Sequence, residues 1–282
     1  DPYTGKRTTG HDWNGIKELD SPVPKPVLFF LAAGILFAVV WTVLMPAWPT
    51  VTGYTKGLLG IDQRRSVEQS LAQAAAQRAP WASRIAGEGF GAIQADAGLM
   101  AIVRQAGATL FGDNCAACHG VRASGGPGYP NLAQAPTLWG DDPETIAQTI
   151  RAGINSAHPE TRFAQMPAFG RDAMLEPADI AAVVAYVRSL SDPAVADPDG
   201  AGARVFAENC AGCHGETATG LPEAGAPNLT DRFWIYSGDA TSILASVENG
   251  RQGLMPAWEG RLSPVDIKLL TLYVLDLRSR EK

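Results

Sequence analysis

Two short segments of the chain combine thiol and imidazole side chains at a spacing that suits covalent attachment of a cofactor. Cys-Ala-Ala-Cys-His spans residues 115–119, and Cys-Ala-Gly-Cys-His spans residues 210–214. In Cys-x-x-Cys-His the two thiols add to the vinyl groups of haem and the adjacent histidine reaches the iron. The sequence therefore predicts two covalently bound haem c groups. Their attachment residues are all four cysteines of the chain, Cys115, Cys118, Cys210 and Cys213.

The axial ligands of each iron are predicted from residues in and after each motif. His119 and His214 supply the first ligand, and Met166 and Met255 lie 47 and 41 residues after those histidines. A methionine ligand raises the reduction potential and closes the coordination site, and the proline after each methionine stops a helix there. We assign each methionine to the motif that precedes it. His158 is the alternative to Met166, and it would give His/His ligation at a much lower potential.

Other residues near the motifs are predicted to support the haem groups. The carbonyls of Pro130 and Pro227 are candidate acceptors for the second ring N–H of His119 and His214, which would fix the ring orientation. Four aromatic side chains either line the haem, or donate to a propionate, or belong to the apolar core; they are Trp139, Phe169, Trp234 and Trp258. No catalytic residue is predicted, because neither a carboxylate pair at a recognisable spacing nor a Gly-rich phosphate loop is present.

Zinc binding and thiol redox chemistry are the alternatives for such motifs. A redox Cys-x-x-Cys pair does not require the adjacent histidine. Two motifs could share one zinc ion, but each is followed by its own Met-Pro sequence. A thioether is a poor zinc ligand and a good haem ligand. Covalent haem is therefore the favoured interpretation.

One apolar stretch before the motifs predicts a membrane span. Residues 27–45 contain Thr42 as the one clearly polar side chain, and at about 1.5 Å per residue they cover roughly the 30 Å hydrocarbon core. A cleaved signal peptide is the alternative. The stretch is long for a signal peptide, and Trp41 and Trp48 suit the membrane interface. We favour a retained anchor, with the N-terminus in the cytoplasm because haem is attached on the outer side of the membrane.

The length of 282 residues and the charge pattern agree with two soluble domains behind an anchor. The formal net charge is −6, and basic minus acidic residues give 9 − 8 in residues 1–97, 6 − 9 in 98–194 and 8 − 12 in 195–282. An acidic surface suits a basic partner such as a small cytochrome c and argues against nucleic acid. An ordinary solvated surface explains the same charge.

The two motif-containing halves repeat one another. Pro-Asn-Leu at 130–132 matches 227–229, and Met-Pro-Ala-aromatic at 166–169 matches 255–258. A helix with one tyrosine is predicted after each methionine, and a hinge is predicted from Ser191 to Gly202. A repeat of this length indicates tandem domains. The predicted segments are a cytoplasmic tail (1–26), a transmembrane helix (27–48), a periplasmic helical linker (49–97), and two haem domains (98–192 and 199–282). Within the linker, a helix is predicted over residues 62–78, and Pro80 is predicted to end it.

With these features together, the chain resembles the dihaem subunit III of cbb3-type cytochrome c oxidases. The resemblance covers nearly the whole chain, and its most specific pieces are residues 9–16, 45–49, 163–170 and 253–258. It implies an all-α fold with one N-terminal transmembrane helix and two tandem class I cytochrome c domains. It also implies a bacterial inner membrane location with the haem domains in the periplasm.

The resemblance further implies an electron-transfer role. Electrons would come from a cytochrome c or the bc1 complex and pass through two covalent haems toward the monohaem and catalytic subunits, where oxygen is reduced while protons are moved. The chain itself would be a non-catalytic subunit. Two alternatives stay open on sequence alone: an anchored dihaem carrier for a periplasmic dehydrogenase, and a dihaem peroxidase with one displaceable iron ligand.

Overall fold

The computed structural model describes residues 1–192, 194 and 200–280, and the chain divides into two compact units, residues 1–78 and 79–282. The predicted all-α class is confirmed, with four short strands in addition among the described residues. The strands are β1 (Thr8–Trp13), β2 (Ile16–Leu19), β3 (Pro49–Thr50) and β4 (Gly53–Tyr54). The helices are α1 (Lys25–Leu44), α2 (Gln63–Gly87), α3 (Phe90–Ala95), α4 (Ala97–Asn114), α5 (Ala116–His119), α6 (Pro143–Ala152), α7 (Pro177–Ser191), α8 (Ala201–Asn209), α9 (Ala211–His214), α10 (Ala240–Asn249) and α11 (Pro264–Arg280).

The N-terminal tail contains a β-hairpin that the sequence analysis did not predict. β1 pairs antiparallel with β2 through a turn at Asn14 and Gly15, both with positive φ. An Asn-Gly pair favours this tight hairpin turn, and the Asp12 carboxylate accepts a hydrogen bond from the Gly15 N–H at 2.6 Å. Nearly all of the hairpin side chains are exposed, so the tail has secondary structure without a core of its own.

Helix α1 has the length and composition of a membrane span. Its 20 residues include none that is buried, and it is the one helix in the described part of the chain that is long and apolar enough to cross a membrane. The helix ends at Leu44, earlier than the predicted limit of residue 48, because Pro46 and Pro49 cannot continue it. The N–H groups of Leu58 and Leu59 then donate to the carbonyls of Val43 and Leu44, satisfying groups that a helix end leaves free.

The prediction that Pro80 ends a helix was wrong, because α2 continues through it to Gly87. A proline deprives the carbonyl four residues earlier of its helical hydrogen bond. That carbonyl belongs to Ala76, which is exposed, so water can supply the missing donor. The boundary between the two compact units falls between Arg78 and Ala79, one residue before this proline.

The unit that begins at Ala79 contains two lobes, which we name by their helices. The first lobe consists of α4, α5, α6 and α11, and the second lobe consists of α7, α8, α9 and α10. The second lobe is therefore inserted in sequence before the final helix of the first. A third apolar cluster joins the end of α2 and α3 to α4 and α11; its buried members are Ile85, Ile93, Leu99, Met100, Val103, Leu269 and Leu272.

A glycine and two aromatic residues bring α11 close to α4 in the first lobe. A Cβ atom at Gly107 would lie 2.7 Å from the Tyr273 Cβ, so only glycine permits this approach of the two helices. The Tyr273 ring lies 5.7 Å from that of Phe111. This packing joins the helix before the first motif to the helix that follows Met255.

The second lobe repeats this packing with the corresponding residues. Gly202 of α8 faces Tyr186 of α7, and the Tyr186 ring lies 5.3 Å from that of Phe206. Each lobe therefore combines the N-terminal part of one sequence repeat with the C-terminal part of the other. The predicted segments 98–192 and 199–282 each contribute to both lobes. Within the predicted hinge, α7 ends at Ser191 and α8 begins at Ala201, while residues 193 and 195–199 lie outside the described residues.

Candidate functional site

Each Cys-x-x-Cys-His motif lies at the end of a helix and forms a helical turn of its own. Cys115 follows α4, and the His119 N–H donates to the Cys115 carbonyl at 2.9 Å. Cys210 follows α8, and the His214 N–H donates to the Cys210 carbonyl at the same distance. Residues three and four apart share one face of a helix. Each turn therefore directs its two thiols and its imidazole to the same side.

The two histidine rings have the proline contacts that the sequence predicts. Nδ1 of His119 lies 3.1 Å from the Pro130 carbonyl oxygen, and Nδ1 of His214 lies 3.0 Å from that of Pro227. A carbonyl can only accept, so Nδ1 carries the proton and Nε2 keeps its lone pair. Burial lowers the pKa of both imidazoles, although the proline contacts act in the opposite direction. The rings are therefore neutral near pH 7, as a metal ligand must be.

The cysteines have the properties of attachment residues and lack those of a redox pair. None of the four, all of which the structure describes, forms a disulfide. Burial raises the pKa of Cys115 and Cys210 to about 11, and the neighbouring thiol adds to this effect. Redox-active thiols have lowered pKa values instead. Nor do the motifs build a shared zinc site, since the described residues contain no group of three or more His, Cys, Asp or Glu side chains that could hold a metal ion.

The methionines pack against the opposite motif from the one assigned in the sequence analysis. Met255 and Cys115 both contact the first-lobe core, whose buried members are Phe111, Ala123, Ala133, Ile146, Ile150, Trp258, Ile267, Leu270 and Val274. Met166 and Cys210 both contact the second-lobe core, whose buried members are Phe169, Ile180, Val183, Val184, Val187, Val205, Phe206, Ala218, Ile243 and Val247. The packing therefore places each methionine with the motif of the other repeat, and not with the preceding motif to which the sequence assigns it.

Backbone pairing explains this exchange. The Met166 N–H donates to the Arg251 carbonyl at 2.8 Å, just beyond α10, and the Met255 N–H donates to the Ile154 carbonyl at 2.9 Å, just beyond α6. Only nine residues separate α7 from α8, and helices joined by a short connection pack as neighbours. Because α7 packs on α8, Met166 is held beside the second motif, and α11 with Met255 completes the first lobe.

The aromatic residues follow the same exchange. Trp258 is buried in the first-lobe core and Phe169 in the second, while Trp234 packs against the second core. The buried indole N–H of Trp139 has no hydrogen-bond partner among the described residues. An unpaired buried donor is costly, so this N–H fits a ligand acceptor such as a haem carboxylate.

His158 is not presented as an iron ligand. Its Nε2 lies 2.7 Å from a Glu259 carboxylate oxygen, and its Nδ1 accepts a hydrogen bond from the Glu160 N–H at 3.0 Å. Both ring nitrogens are thus engaged by the protein. Two thiols, a neutral imidazole and a thioether remain available at each motif. This set of groups fits haem c, which supplies a one-electron iron couple when it is bound.

The loops that follow the two motifs meet at a contact between the lobes. The Gly128 N–H donates to the Ile235 carbonyl at 2.7 Å, and the Trp139 ring packs against Gly225. The loops after the two motifs line a common cavity with residues 124–138 on one side and 219–236 on the other. The fold therefore brings the loops of both sites together within one compact unit.

Two arginines beside these sites were not selected from the sequence. Arg162 and Arg251 each stand four residues before a Met-Pro-Ala segment, and each guanidinium lies over an aromatic ring. The signal that identifies them is the repeated spacing Arg-x-x-x-Met-Pro-Ala. It becomes informative once the structure shows that the two arginines occupy corresponding positions.

Comparison with family models agrees with this architecture. Residues 105–191 match cytochrome c, residues 197–274 match subunit III of the cbb3-type cytochrome c oxidase, and residues 5–52 match the N-terminal domain of the cbb3 oxidase protein FixP. The fold and the motifs thus define a dihaem c-type cytochrome with an N-terminal apolar helix.

Similar proteins extend along nearly the whole chain. The cbb3-type cytochrome c oxidase subunit FixP of Bradyrhizobium sp. (strain ORS 278) is 47% identical over 98% of this chain and 96% of its own length. The subunit CcoP of Cereibacter sphaeroides is 41% identical over 97% of this chain and 95% of its own length. The chain therefore belongs to the family of subunit III of cbb3-type cytochrome c oxidases, and as a member it is a membrane-bound electron-transfer subunit with two covalent haem c groups.

Proposed function

We propose that this chain is the non-catalytic relay of a cbb3-type oxidase. It accepts electrons from a cytochrome c or the bc1 complex and delivers them toward the monohaem and catalytic subunits, while oxygen reduction and proton translocation belong to the complex. The observation that carries this proposal is that each motif shares its core with a Met-Pro-Ala methionine. An iron with two strong protein ligands transfers electrons and has no open position for oxygen or peroxide.

The proposed ligand sets follow from the lobes. His119 and Met255 ligate the haem attached to residues 115–118, which we call the first haem. His214 and Met166 ligate the haem attached to residues 210–213, which we call the second haem. Pro130 and Pro227 orient the two histidines, and the charge-neutral thioethers favour the reduced iron.

The proposed topology places the hairpin-containing tail in the cytoplasm and everything after α1 in the periplasm, with α1 in the bacterial inner membrane. Attachment of haem on the outer side of the membrane supports this orientation. Four basic residues, Lys6, Arg7, Lys17 and Lys25, precede the span. Protease treatment of spheroplasts should degrade the haem-containing region and spare an epitope attached to the N-terminus; the reverse would contradict this orientation.

Mild detergent extraction of the tagged chain from bacterial membranes tests the proposed role. The chain should be recovered with haem b, copper and a monohaem cytochrome, and the preparation should consume oxygen with reduced cytochrome c. The separated chain should retain haem c and consume no oxygen. Recovery with a flavin or quinoprotein dehydrogenase and without haem b or copper would overturn the proposal, as would peroxidase activity of the separated chain.

A further inference from the structure

The arginine and the methionine of each Arg-x-x-x-Met segment lie in different lobes. Met166 contacts the second-lobe core. Arg162, four residues earlier, binds α6 of the first lobe, where its Nε donates to the Thr149 hydroxyl at 2.9 Å and its Nη2 to the Gln148 side-chain oxygen at 3.1 Å. One short segment therefore reaches both sites.

Arg251 and Met255 are arranged in the reverse sense. Met255 contacts the first-lobe core. Arg251 belongs to the second lobe, where its Nε donates to the Ser246 hydroxyl of α10 at 2.9 Å. Thr149 and Ser246 occupy corresponding positions, each four residues before the glycine that ends its helix. The two arginines are thus held in the same way, one in each lobe.

Both guanidinium groups lie over aromatic rings. The Arg162 guanidinium carbon is 5.0 Å from the centre of the Trp139 ring, and that of Arg251 is 3.8 Å from the centre of the Tyr236 ring. Trp139 follows the loop that orients His119, and Tyr236 lies at the equivalent place after the loop that orients His214. Each cation therefore packs on an aromatic residue that follows the histidine-orienting loop of one lobe.

Neither arginine has a carboxylate partner among the described residues, although other arginines of the same lobes do. Arg104, Arg151 and Arg278 form ion pairs with acidic side chains. Burial also lowers the pKa of Arg162, which agrees with the absence of a carboxylate partner among the described residues. Beside Arg162, the buried Trp139 N–H also lacks an acceptor among the described residues. A cation and a free donor at one place fit a bound carboxylate.

We propose that each Arg-x-x-x-Met segment serves both haems. Arg162 binds a propionate of the first haem while Met166 ligates the iron of the second, and Arg251 binds a propionate of the second haem while Met255 ligates the iron of the first. The Trp139 N–H donates to the propionate that Arg162 binds. This inference rests on the proposed function, since it requires haem at both motifs with the exchanged methionine ligands.

The electrostatic consequence is measurable. A cation beside a haem disfavours the more positive oxidised iron, so its removal favours the oxidised state. Arg162→Gln should lower the potential of one haem, and the reduced-to-oxidised ratio at fixed ambient potential should fall about tenfold, or about 59 mV for a one-electron couple. Arg162→Lys should recover most of the loss because it keeps the charge. Arg171→Gln is the matched control, because Arg171 is exposed and pairs with Asp172.

Redox titration of the detergent-extracted holoprotein with two double variants tests the exchange. In Arg162→Gln/Met255→Ala both changes act on the first haem, so one transition should shift and the other should keep its wild-type midpoint. In Arg162→Gln/Met166→Ala both transitions should shift. The opposite pattern, or unchanged midpoints in Arg162→Gln, would overturn the inference.

Two further measurements separate this outcome from failure of the proposed function. Haem content and the near-infrared sulfur–iron band of Arg162→Gln should equal those of the wild-type protein, because the variant leaves both attachment motifs and both methionines in place. A wild-type chain without two haems or without that band would refute the proposed function itself. If Arg162→Gln loses haem and Arg162→Lys does not restore the potential of the first haem, the propionate assignment is wrong.

Discussion

Met166 and Arg251 form an antiparallel backbone pair, in which the Met166 N–H donates to the Arg251 carbonyl at 2.8 Å and the Arg251 N–H donates to the Met166 carbonyl at 3.1 Å. The two residues come from different sequence repeats. The same pairing joins Met255 to Ile154. These two bridges hold each methionine beside the motif of the other repeat, and the proposed ligand sets depend on them.

Substitution of Gly250 should break one of these bridges. Gly250 has φ 69° and ψ 176°, a conformation nearly restricted to glycine, and a Cβ atom there would collide with the Met166 carbonyl. We expect Gly250→Ala to destabilise the protein by about 1–3 kcal/mol and to reduce the sulfur–iron band by about half. Thermal unfolding and near-infrared absorption measure these effects. Gly253→Ala is the control, since a Cβ atom there meets nothing within 4 Å.

The exchange also predicts which fragments fold. Residues 163–251 contain Met166, α7, α8, α9 and α10, which are the complete second lobe. Residues 199–282 correspond to the second sequence repeat, and they lack α7 and Met166. Exported with the haem attachment machinery, the first fragment should show His/Met absorption and cooperative unfolding, and the second should lack the sulfur–iron band. Stable His/Met ligation in residues 199–282 would contradict the exchanged lobes.

Arg278 should be a major contributor to first-lobe stability. Its side chain is only 8% exposed and donates to the Ala135 carbonyl and, at 3.0 Å, to the Asp141 carboxylate. Arg278→Ala leaves the carbonyl of the buried Ala135 without this donor and removes the ion pair with Asp141, and we expect a loss of about 2–3 kcal/mol in the free energy of unfolding. Arg280→Ala should cost less than about 1 kcal/mol, because Arg280 is half exposed and Asp276 keeps its pair with Arg104.

Asp239 should contribute to the acid sensitivity of the second lobe. Hydrogen bonds from the Ser242 hydroxyl, the Ser237 side chain and the Ser242 N–H hold the pKa of Asp239 well below its ordinary value of 3.8. As the pH falls, Asp239 therefore binds a proton at a higher pH in the unfolded chain than in the folded protein. The stability that Asp239 provides is complete above its unfolded pKa and is lost below it.

Asp239→Asn tests this dependence, because asparagine can still cap α10 but does not titrate. The pH dependence of the free energy of unfolding between about pH 4 and pH 2 should become shallower by up to about one proton. Ser242→Ala removes the hydrogen bond that lowers the pKa of Asp239 most, and it should give an intermediate slope of the free energy of unfolding against pH. An unchanged slope in Asp239→Asn would show that Asp239 titrates alike in both states.

The residues at each site could be predicted from sequence because their chemistry is local. Cys-x-x-Cys-His and the later Pro and Met-Pro segments each have a specific role with haem, and a long apolar stretch has few alternatives to a membrane span. Asn14-Gly15 is likewise a local signal for the turn of the N-terminal hairpin. The arginine that stands four residues before each methionine is another local signal, because its spacing is repeated.

The exchange of helices could not be predicted from sequence because the two repeats carry the same contact residues. Tyr186 and Tyr273 face equivalent glycines, and the two methionines stand in equivalent segments. Either arrangement buries the same residue types, so hydrophobic periodicity does not distinguish them. The short connection from α7 to α8 is the physical feature that favours the exchange. The helix around Pro80 could not be predicted for a related reason. A proline usually ends a helix, but an exposed helix such as α2 can continue through one because water satisfies the free carbonyl.

The most direct test of the exchanged ligands uses a chain with one haem. Cys115→Ala/Cys118→Ala retains only the attachment residues Cys210 and Cys213, so the sulfur–iron band of this protein reports on one iron. Adding Met166→Ala should abolish the band, and adding Met255→Ala should leave it intact. Loss of the band with Met255→Ala and its retention with Met166→Ala would contradict the account.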